Sequence, residues 1–168
     1  VAHPDTLNYL LEFVSVNELE KVKVKMVKQL IKDKRLDAFR LGGNFRIAID
    51  ATQLFSFSEQ HCEHCLKTKH SSGKITWSHQ ILEAKLVAEN GLALSICSEP
   101  IENENGIYEK QDCELKALYR LEKKLKRTFP RTPFCLLLDG LYACQGVLDL
   151  CRKNNWQYLI ILKKGSIP

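Results

Sequence analysis

The stretch Phe134-Cys135-Leu136-Leu137-Leu138-Asp139-Gly140 decides the fold of this chain. It begins with an unbroken apolar run, typical of a strand buried on both faces of a sheet, and it ends in an acid followed by a glycine. The earlier stretch Phe45-Arg46-Ile47-Ala48-Ile49-Asp50 alternates in the way that predicts a strand, and it also ends in an acid. Two strands that each lead to an aspartate are therefore expected in the middle of the fold.

The segments around these two stretches predict further strands and helices. Gly42-Gly43-Asn44 breaks the helical pattern of residues 5–40 and separates it from the first strand. The pair Asn90-Gly91 is a hairpin signal between the second and third strands. A polar loop that contains cysteine and histidine is predicted at residues 56–73. By periodicity the strands fall at residues 45–50, 75–87, 92–97, 134–138 and 158–162, and the helices at residues 109–128 and 144–153.

The order of these elements predicts an α/β fold. The first three strands follow one another closely, so we expect an antiparallel meander. The last two strands are reached through helices, which implies right-handed parallel crossovers. The expected architecture is an RNase H-like mixed five-stranded sheet with flanking helices, preceded by a small helical region.

Length and composition exclude several classes of protein. The 168 residues, 45% of them apolar and 27% charged, suit one ordinary domain with a sizeable core rather than a disordered or fibrous chain. The apolar runs are far shorter than the ~20 residues that cross a bilayer, and the first residues lack a signal pattern, so no membrane partner is expected. Seven cysteines, several of them inside apolar segments, favour a reducing compartment, and we expect a cytoplasmic protein.

The positive charge is clustered along two predicted helices. The net charge of +5 is modest, but residues 21–35 and 120–131 are each strongly basic. Basic helix faces attract polyanions, nucleic acid first, although an ordinary solvated face has the same composition. The side chains that we expect to contact DNA phosphates are Lys21, Lys25, Lys28, Lys32, Lys123, Lys126 and Arg127.

The two strand-end aspartates form the first candidate site. In an RNase H-like sheet the first and fourth strands are parallel neighbours, so Asp50 and Asp139 are expected side by side at one edge. Two close carboxylates repel each other unless a cation lies between them, and Mg²⁺ and Mn²⁺ take such oxygen ligands. The alternative for Asp139 is a cap on the turn that begins at Gly140. Asp112 and Glu114 are expected either near the same edge or as helix-start charges.

A cluster of cysteines and histidines forms the second candidate site. Cys62-x-x-Cys65 together with His70 supplies the ligand types that Zn²⁺ prefers. Further imidazoles are available at His61, His64 and His79. Ordinary loop residues are the alternative, and a redox pair is expected at a helix start rather than in this loop. His79, on a predicted strand, is most simply a satisfied sheet residue.

Three short segments carry a family resemblance. They are Ala48-Ile49-Asp50-Ala51-Thr52, Leu138-Asp139-Gly140-Leu141-Tyr142 and the closing residues 158–165. In order and spacing they resemble insertion-sequence transposases of the DDE group. Residues 61–70, residues 77–80 and the triplet Asp112-Cys113-Glu114 are similar to stretches common in one branch of that group. The resemblance spans nearly the whole chain.

The resemblance implies a metal-dependent enzyme that cleaves double-stranded DNA at transposon ends and joins them to target DNA, with Mg²⁺ or Mn²⁺ as cofactor. Asp50 matches the first acid of the family's triad and Asp139 the second. The third, a glutamate on a helix beyond the last strand, has no match up to Pro168. We therefore expect it beyond residue 168 in a longer protein, or else a truncated gene product. A full-length protein is expected to be a homodimer, with residues 1–44 as a basic DNA-binding region and residues 45–168 as the catalytic domain.

Two other functions fit the same sequence. A folded remnant of a transposase that lacks the third acid would bind DNA and be catalytically inactive. A zinc-binding interaction module would contain stoichiometric zinc and have no affinity for DNA.

Overall fold

The predicted strands form one mixed sheet. The structure is a computed structural model that describes residues 3–104, Tyr108 and residues 111–162, so the closing segment is described only as far as Leu162. The helices are α1 (Pro4–Phe13), α2 (Val16–Lys32), α3 (Glu114–Thr128) and α4 (Gln145–Asn154), with 3₁₀ helices at Asp37–Phe39 and Gly140–Tyr142. The strands are β1 (Arg40–Leu41), β2 (Asn44–Phe57), β3 (Leu66–Lys69), β4 (Ile75–Val87), β5 (Ala93–Ile101), β6 (Phe134–Asp139) and β7 (Gln157–Ile161).

The strand order confirms the RNase H-like prediction. β4 pairs antiparallel with β2 along one side and with β5 along the other. β6 pairs parallel with β2, and β7 pairs parallel with β6. The path β5-β4-β2-β6-β7 is therefore an antiparallel meander extended by two parallel crossover strands, with β2 and β6 as central neighbours.

Within the described residues the sheet has seven strands rather than the predicted five. The two additional strands are short: β1 pairs with the start of β2, and β3 pairs with the start of β4. β3 lies inside residues 56–73, which the sequence predicts to be a loop. The sequence does not indicate this strand because its 4 residues are too few to show a strand period. Gly73, at φ +82°, lies in the turn that connects β3 to β4.

β2 does not end at Asp50, as the sequence predicts, but continues to Phe57. The cause lies in its two neighbours. β6 pairs with β2 only through Ala48, whereas β4 pairs with it as far as Phe57. A β-bulge leaves Leu54 as an extra residue in this outer part of the ladder. Asp50 therefore lies where β2 loses its parallel neighbour, not where the strand ends.

One face of the sheet is the hydrophobic core. Alternate residues of the two central strands are buried there: Phe45, Ile47, Ile49, Phe134, Leu136 and Leu138. α3 packs on β5 and β4 and buries Leu118, Leu121 and Leu125, each of which contributes about 2 kcal/mol. Cys135 and Leu137, on the other face of β6, are only half-buried. This corrects the expectation of a strand buried on both faces, which an unbroken apolar run cannot distinguish from burial on one.

The chain divides into two compact units, residues 1–36 and residues 37–168. The first contains α1, in which no residue is buried, and α2, in which Val27 is buried. The domain boundary predicted at residue 44 stays a prediction. No helix of the described residues is both long and apolar enough to cross a membrane.

Candidate functional site

Asp50 and Asp139 occupy corresponding positions on the two central strands. The last paired residues of β2 and β6 are Ala48 and Leu137, and the two aspartates follow at the same distance beyond them. Neighbouring strands lie about 4.8 Å apart, and residues in register point to the same face. Both side chains therefore belong to the face opposite the core, at the carboxyl end of β6.

Each aspartate also accepts a backbone hydrogen bond. Asp139 Oδ1 accepts from the N–H of Leu141 at 2.9 Å and caps the 3₁₀ helix that begins at Gly140. Asp50 Oδ1 accepts from the N–H of Ala51 at 3.0 Å. The capping role considered for Asp139 is thus present in the structure. Because a carboxylate offers about four lone-pair sites, this cap does not prevent it from ligating a cation.

A buried tyrosine lies close to the two aspartates. Tyr142 Oη donates a hydrogen bond to Glu114 Oε2 at 3.1 Å. Burial raises the pKa of Tyr142 far above its ordinary value. The negative charges of Glu114, Asp139 and Asp50 raise that pKa further. The phenol is therefore an uncharged donor close to three carboxylates, and Glu114 at the start of α3 belongs to the same edge of the sheet.

A further carboxylate, which the sequence analysis missed, lies opposite Asp50. Glu83 of β4 is the antiparallel partner of Asp50, so the two side chains point to the same face. The hydroxyl of Ser98 donates a hydrogen bond to Glu83 Oε1. No motif marks Glu83, because it lies in the middle of a long strand. The register between β2 and β4 identifies it, and a single sequence does not contain that register.

We call Asp50, Glu83, Glu114 and Asp139 the acid edge. Its ligand atoms are all carboxylate oxygens, the type that hard divalent cations such as Mg²⁺ and Mn²⁺ prefer. Within the part of the chain that the structure describes, no three of these carboxylates converge within 4.8 Å of one another. The donor set therefore fits a hard cation bound by a pair of carboxylates at an open edge rather than one enclosed by protein ligands.

A second set of potential metal ligands does converge. The Sγ atoms of Cys62 and Cys65 lie 3.8 Å apart. His79 Nε2 lies 3.4 Å from Cys62 Sγ and 3.3 Å from Cys65 Sγ. Cys65 is fully buried, whereas Cys62 and His79 are half-buried. We call these three side chains the Cys–His triangle.

The imidazole of this triangle is His79 and not His70, the residue chosen from the sequence. His70 lies at the far end of the β3–β4 hairpin, hydrogen-bonded to Thr76 Oγ1 at 2.8 Å. The β3–β4 pairing, continued by one residue, sets Cys65 opposite His79. The distance along the strand from Cys65 to His70 is about 16 Å, too far for a shared ion. Reading Ser71-Ser72-Gly73 as a hairpin turn would have identified His79 from the sequence.

The basic residues chosen from the sequence lie on two helices. The four lysines of α2 are exposed on one helix face: Lys21, Lys25, Lys28 and Lys32. The three residues of α3 differ in exposure: Lys123 and Arg127 are exposed, and Lys126 is half-buried. Both sets are accessible to a polyanion.

Two other basic residues of α3 belong to an ion-pair network. Arg120 Nε lies 2.6 Å from Glu99 Oε1, and its Nη2 lies 2.5 Å from Asp112 Oδ2. Lys124 Nζ lies 2.5 Å from Glu99 Oε2. Burial acts to raise the pKa of Asp112, but the hydrogen bonds and charge of Arg120 outweigh it and hold that pKa below its ordinary value. This part of the basic cluster therefore fastens α3 to β5.

Comparison with known proteins gives a weak structural likeness. No protein-family model and no curated protein match this sequence. The chain is similar to the cryo-EM structure of a piggyBac transposase synaptic complex with hairpin DNA, at 15% sequence identity and a TM-score of 0.45. The likeness covers 91% of this chain and 31% of that one, so the chain spans about a third of the length of that protein. The strand order, rather than this likeness, identifies the fold.

Proposed function

We propose that this chain carries out metal-dependent phosphodiester chemistry on double-stranded DNA, as the cleaving and strand-joining part of a DDE-group transposase. The observation that carries the proposal is the parallel register of β2 and β6, in which Asp50 and Asp139 follow the last paired residues on one face. Ligands of α/β sheets bind outside the carboxyl ends of the strands. The resemblance of the segments around both aspartates to transposase motifs supports the same assignment.

Asp50 and Asp139 are the residues that would hold Mg²⁺ or Mn²⁺. Such an ion supplies activation of an attacking oxygen and stabilisation of the leaving oxygen of a phosphodiester. The protein's own contribution is orientation. The N–H groups of Ala51 and Leu141 each fix one carboxylate oxygen and so orient the two aspartates.

Tyr142 and Glu114 act as positioning residues of the acid edge. Because its pKa is raised, Tyr142 stays protonated, donates to Glu114 and adds no charge of its own. Glu114 lies in the first turn of α3, where the helix dipole favours a negative charge. The edge therefore stays negative and selects a cation.

The basic helix faces would bind the DNA backbone. The α2 lysines lie within the region proposed as the DNA-binding part, residues 1–44, and Lys123, Lys126 and Arg127 lie within the proposed catalytic domain. Contacts of this kind position a duplex and do not read its sequence.

The test of the proposal is a metal-dependent melting temperature combined with a DNA-nicking assay. A cation that binds only the folded protein stabilises it by about 1.4 kcal/mol at ten times its Kd. We expect that Mn²⁺ raises the melting temperature, that Mn²⁺ supports nicking of duplex DNA, and that Asp50→Asn and Asp139→Asn each abolish both effects. Asp149→Asn, on the exposed face of α4, is the matched control and should retain both.

The opposite outcome would assign the aspartates a structural role. In that case the melting temperature does not depend on Mn²⁺ or Mg²⁺. Asp139→Asn then changes stability little because asparagine keeps the capping oxygen, whereas Asp139→Ala costs about 1 kcal/mol because the cap is removed. That result would overturn the proposal and leave a DNA-binding protein without a metal centre at this edge.

A further inference from the structure

The Cys–His triangle has the dimensions of a zinc site. Zn–S bonds of about 2.3 Å and Zn–N bonds of about 2.1 Å at tetrahedral angles separate two sulfurs by about 3.8 Å, and a sulfur and a nitrogen by about 3.6 Å. The two sulfurs lie 3.8 Å apart, and His79 Nε2 lies 3.4 Å and 3.3 Å from them. Cys62 and Cys65 are both free thiols. Two sulfurs and one imidazole nitrogen therefore already surround the position that one ion would occupy.

The local fold creates this arrangement from two short-range features. The N–H of Cys65 contacts the carbonyl of Cys62 at 3.4 Å, which closes a turn and brings the two thiols together. The β3–β4 pairing, continued by one residue, sets Cys65 opposite His79. Both features are backbone hydrogen bonds, so the backbone brings the three ligand atoms together.

A buried asparagine supports the same loop from behind. Asn103 Nδ2 donates to the carbonyl of Cys65 at 2.7 Å, and the backbone N–H of Asn103 donates to the carbonyl of His64 at 3.1 Å. The side chain of Gln111 accepts a hydrogen bond from the N–H of Lys67 at 2.6 Å and donates one to the carbonyl of Lys67 at 2.9 Å. The backbone groups of Lys67 at the edge of β3 therefore have hydrogen-bond partners. Outer contacts of this kind orient metal ligands in established sites.

We propose that Cys62, Cys65 and His79 bind one Zn²⁺ ion that fastens the segment of residues 58–65 to β4. Thiolates and imidazole select zinc, whereas the carboxylates of the acid edge select Mg²⁺ or Mn²⁺, so the two sites are chemically distinct. His79 lies about 13 Å along β4 from Glu83 and on the same face. The zinc ion therefore lies on the same face of β4 as Glu83, and solvent supplies its fourth ligand.

The experiment is metal analysis of the protein purified without chelator from zinc-supplemented cells. We expect about one zinc per chain. Cys62→Ser and Cys65→Ser should each lower the zinc content by roughly tenfold or more. Two matched controls should keep it: Cys113→Ser removes an exposed thiol, and His70→Ala removes an imidazole of the same hairpin.

Cobalt substitution gives a readout that does not depend on stability. Co²⁺ in the triangle should show thiolate-to-cobalt charge transfer and the strong visible bands of a tetrahedral centre, and His79→Ala should change those visible bands. Asp50→Asn should leave the zinc content and the cobalt spectrum unchanged, which separates this proposal from the catalytic one. Folded wild-type protein with far less than stoichiometric zinc, or zinc retained by both serine variants, would overturn the proposal.

Discussion

The acid edge and the Cys–His triangle show two ways in which one sheet gathers ligands. The acid edge depends on β2 and β6, strands far apart in the sequence, and its two aspartates are exposed or half-buried. The triangle depends on one hairpin and includes a fully buried thiol. The difference in burial therefore indicates which site is suited to hold the chain and which to meet a substrate.

Removing zinc should have the largest effect on the free energy of unfolding, and it should act through the triangle and not through the acid edge. A ligand present at a thousand times its Kd stabilises a protein by about 4 kcal/mol, so a chelator should lower the free energy of unfolding by that order. Denaturant unfolding of the wild type with and without chelator measures the change. Cys65→Ser should have the lower free energy of unfolding both with and without chelator. Equal values for the wild type would mean that the triangle is a hydrogen-bonded cluster without metal.

Removing the support behind the triangle should give the next largest effect. In Asn103→Ala the carbonyl of Cys65 and the N–H of Asp112 lose a buried partner, which should cost about 2 kcal/mol. Zinc affinity should fall by about 10- to 100-fold, as measured by competition with a chromophoric chelator. The melting response to Mn²⁺ should not change. Asn17→Ala, at an exposed position of α2, is the control, and unchanged zinc affinity in Asn103→Ala would contradict the supporting role.

Acid should remove the stabilising contribution of the Asp112–Arg120 ion pair. Although burial opposes it, Arg120 holds the charged form of Asp112 and keeps the pKa of that carboxyl below its ordinary value. The contribution of Asp112 to stability is therefore complete above about pH 4, the value for an unfolded chain, and is lost as the pH falls through the folded pKa. In Asp112→Asn the decline of the unfolding free energy below about pH 4 should be shallower. An identical decline in wild type and variant would show that the pair with Arg120 does not stabilise the fold.

The smallest effect should come from the surface lysines, which contribute to neither metal site. Replacing Lys21, Lys25, Lys28 and Lys32 with glutamine should weaken duplex binding and reduce the slope of log affinity against log salt by about 0.9 for each phosphate that is no longer neutralised. Fluorescence anisotropy over a salt series measures this slope. Lys153→Gln, an exposed residue of α4, should leave it unchanged. If the fourfold variant keeps the wild-type slope, this face of α2 is an ordinary solvated surface.

The sequence predicted the fold more completely than the sites because the two depend on different information. The sequence marks β6 and β7 by short apolar runs and α4 by helical spacing, so their bounds agree with the prediction within one or two residues. Glu83 and His79 have no such local signal. Glu83 lies beside Asp50, and His79 beside Cys65, only because of the register in which their strands pair. That register is set by the pairing energy of the whole ladder and not by the residues next to Glu83 or His79.

The prediction that the first strand ends at Asp50 was wrong for a related reason. An acid after alternating apolar residues is typical of a strand end, but the length of β2 is set by the length of β4, its antiparallel partner. α3 also begins at Glu114, later than the predicted start near residue 109, because Gln111 and Asp112 are engaged in hydrogen bonds with β3 and Arg120. Residue 109 itself lies outside the described residues. Tertiary contacts thus moved the ends of elements whose existence the sequence indicated correctly.

The bulge at Leu54 has an evolutionary consequence. It lies in β2 between Asp50 and the residues that pair with the segment around His79, and it shifts the β2–β4 register by one position. In a strand without a bulge, an insertion or deletion of one residue shifts the pairing of all the residues beyond it. Because side chains alternate, such a shift moves each of them to the other face of the sheet. With the bulge in place, a change of length in the outer part of the ladder can be absorbed before it reaches Asp50. We therefore expect insertions and deletions in the outer part of this ladder to leave the register at Asp50 unchanged.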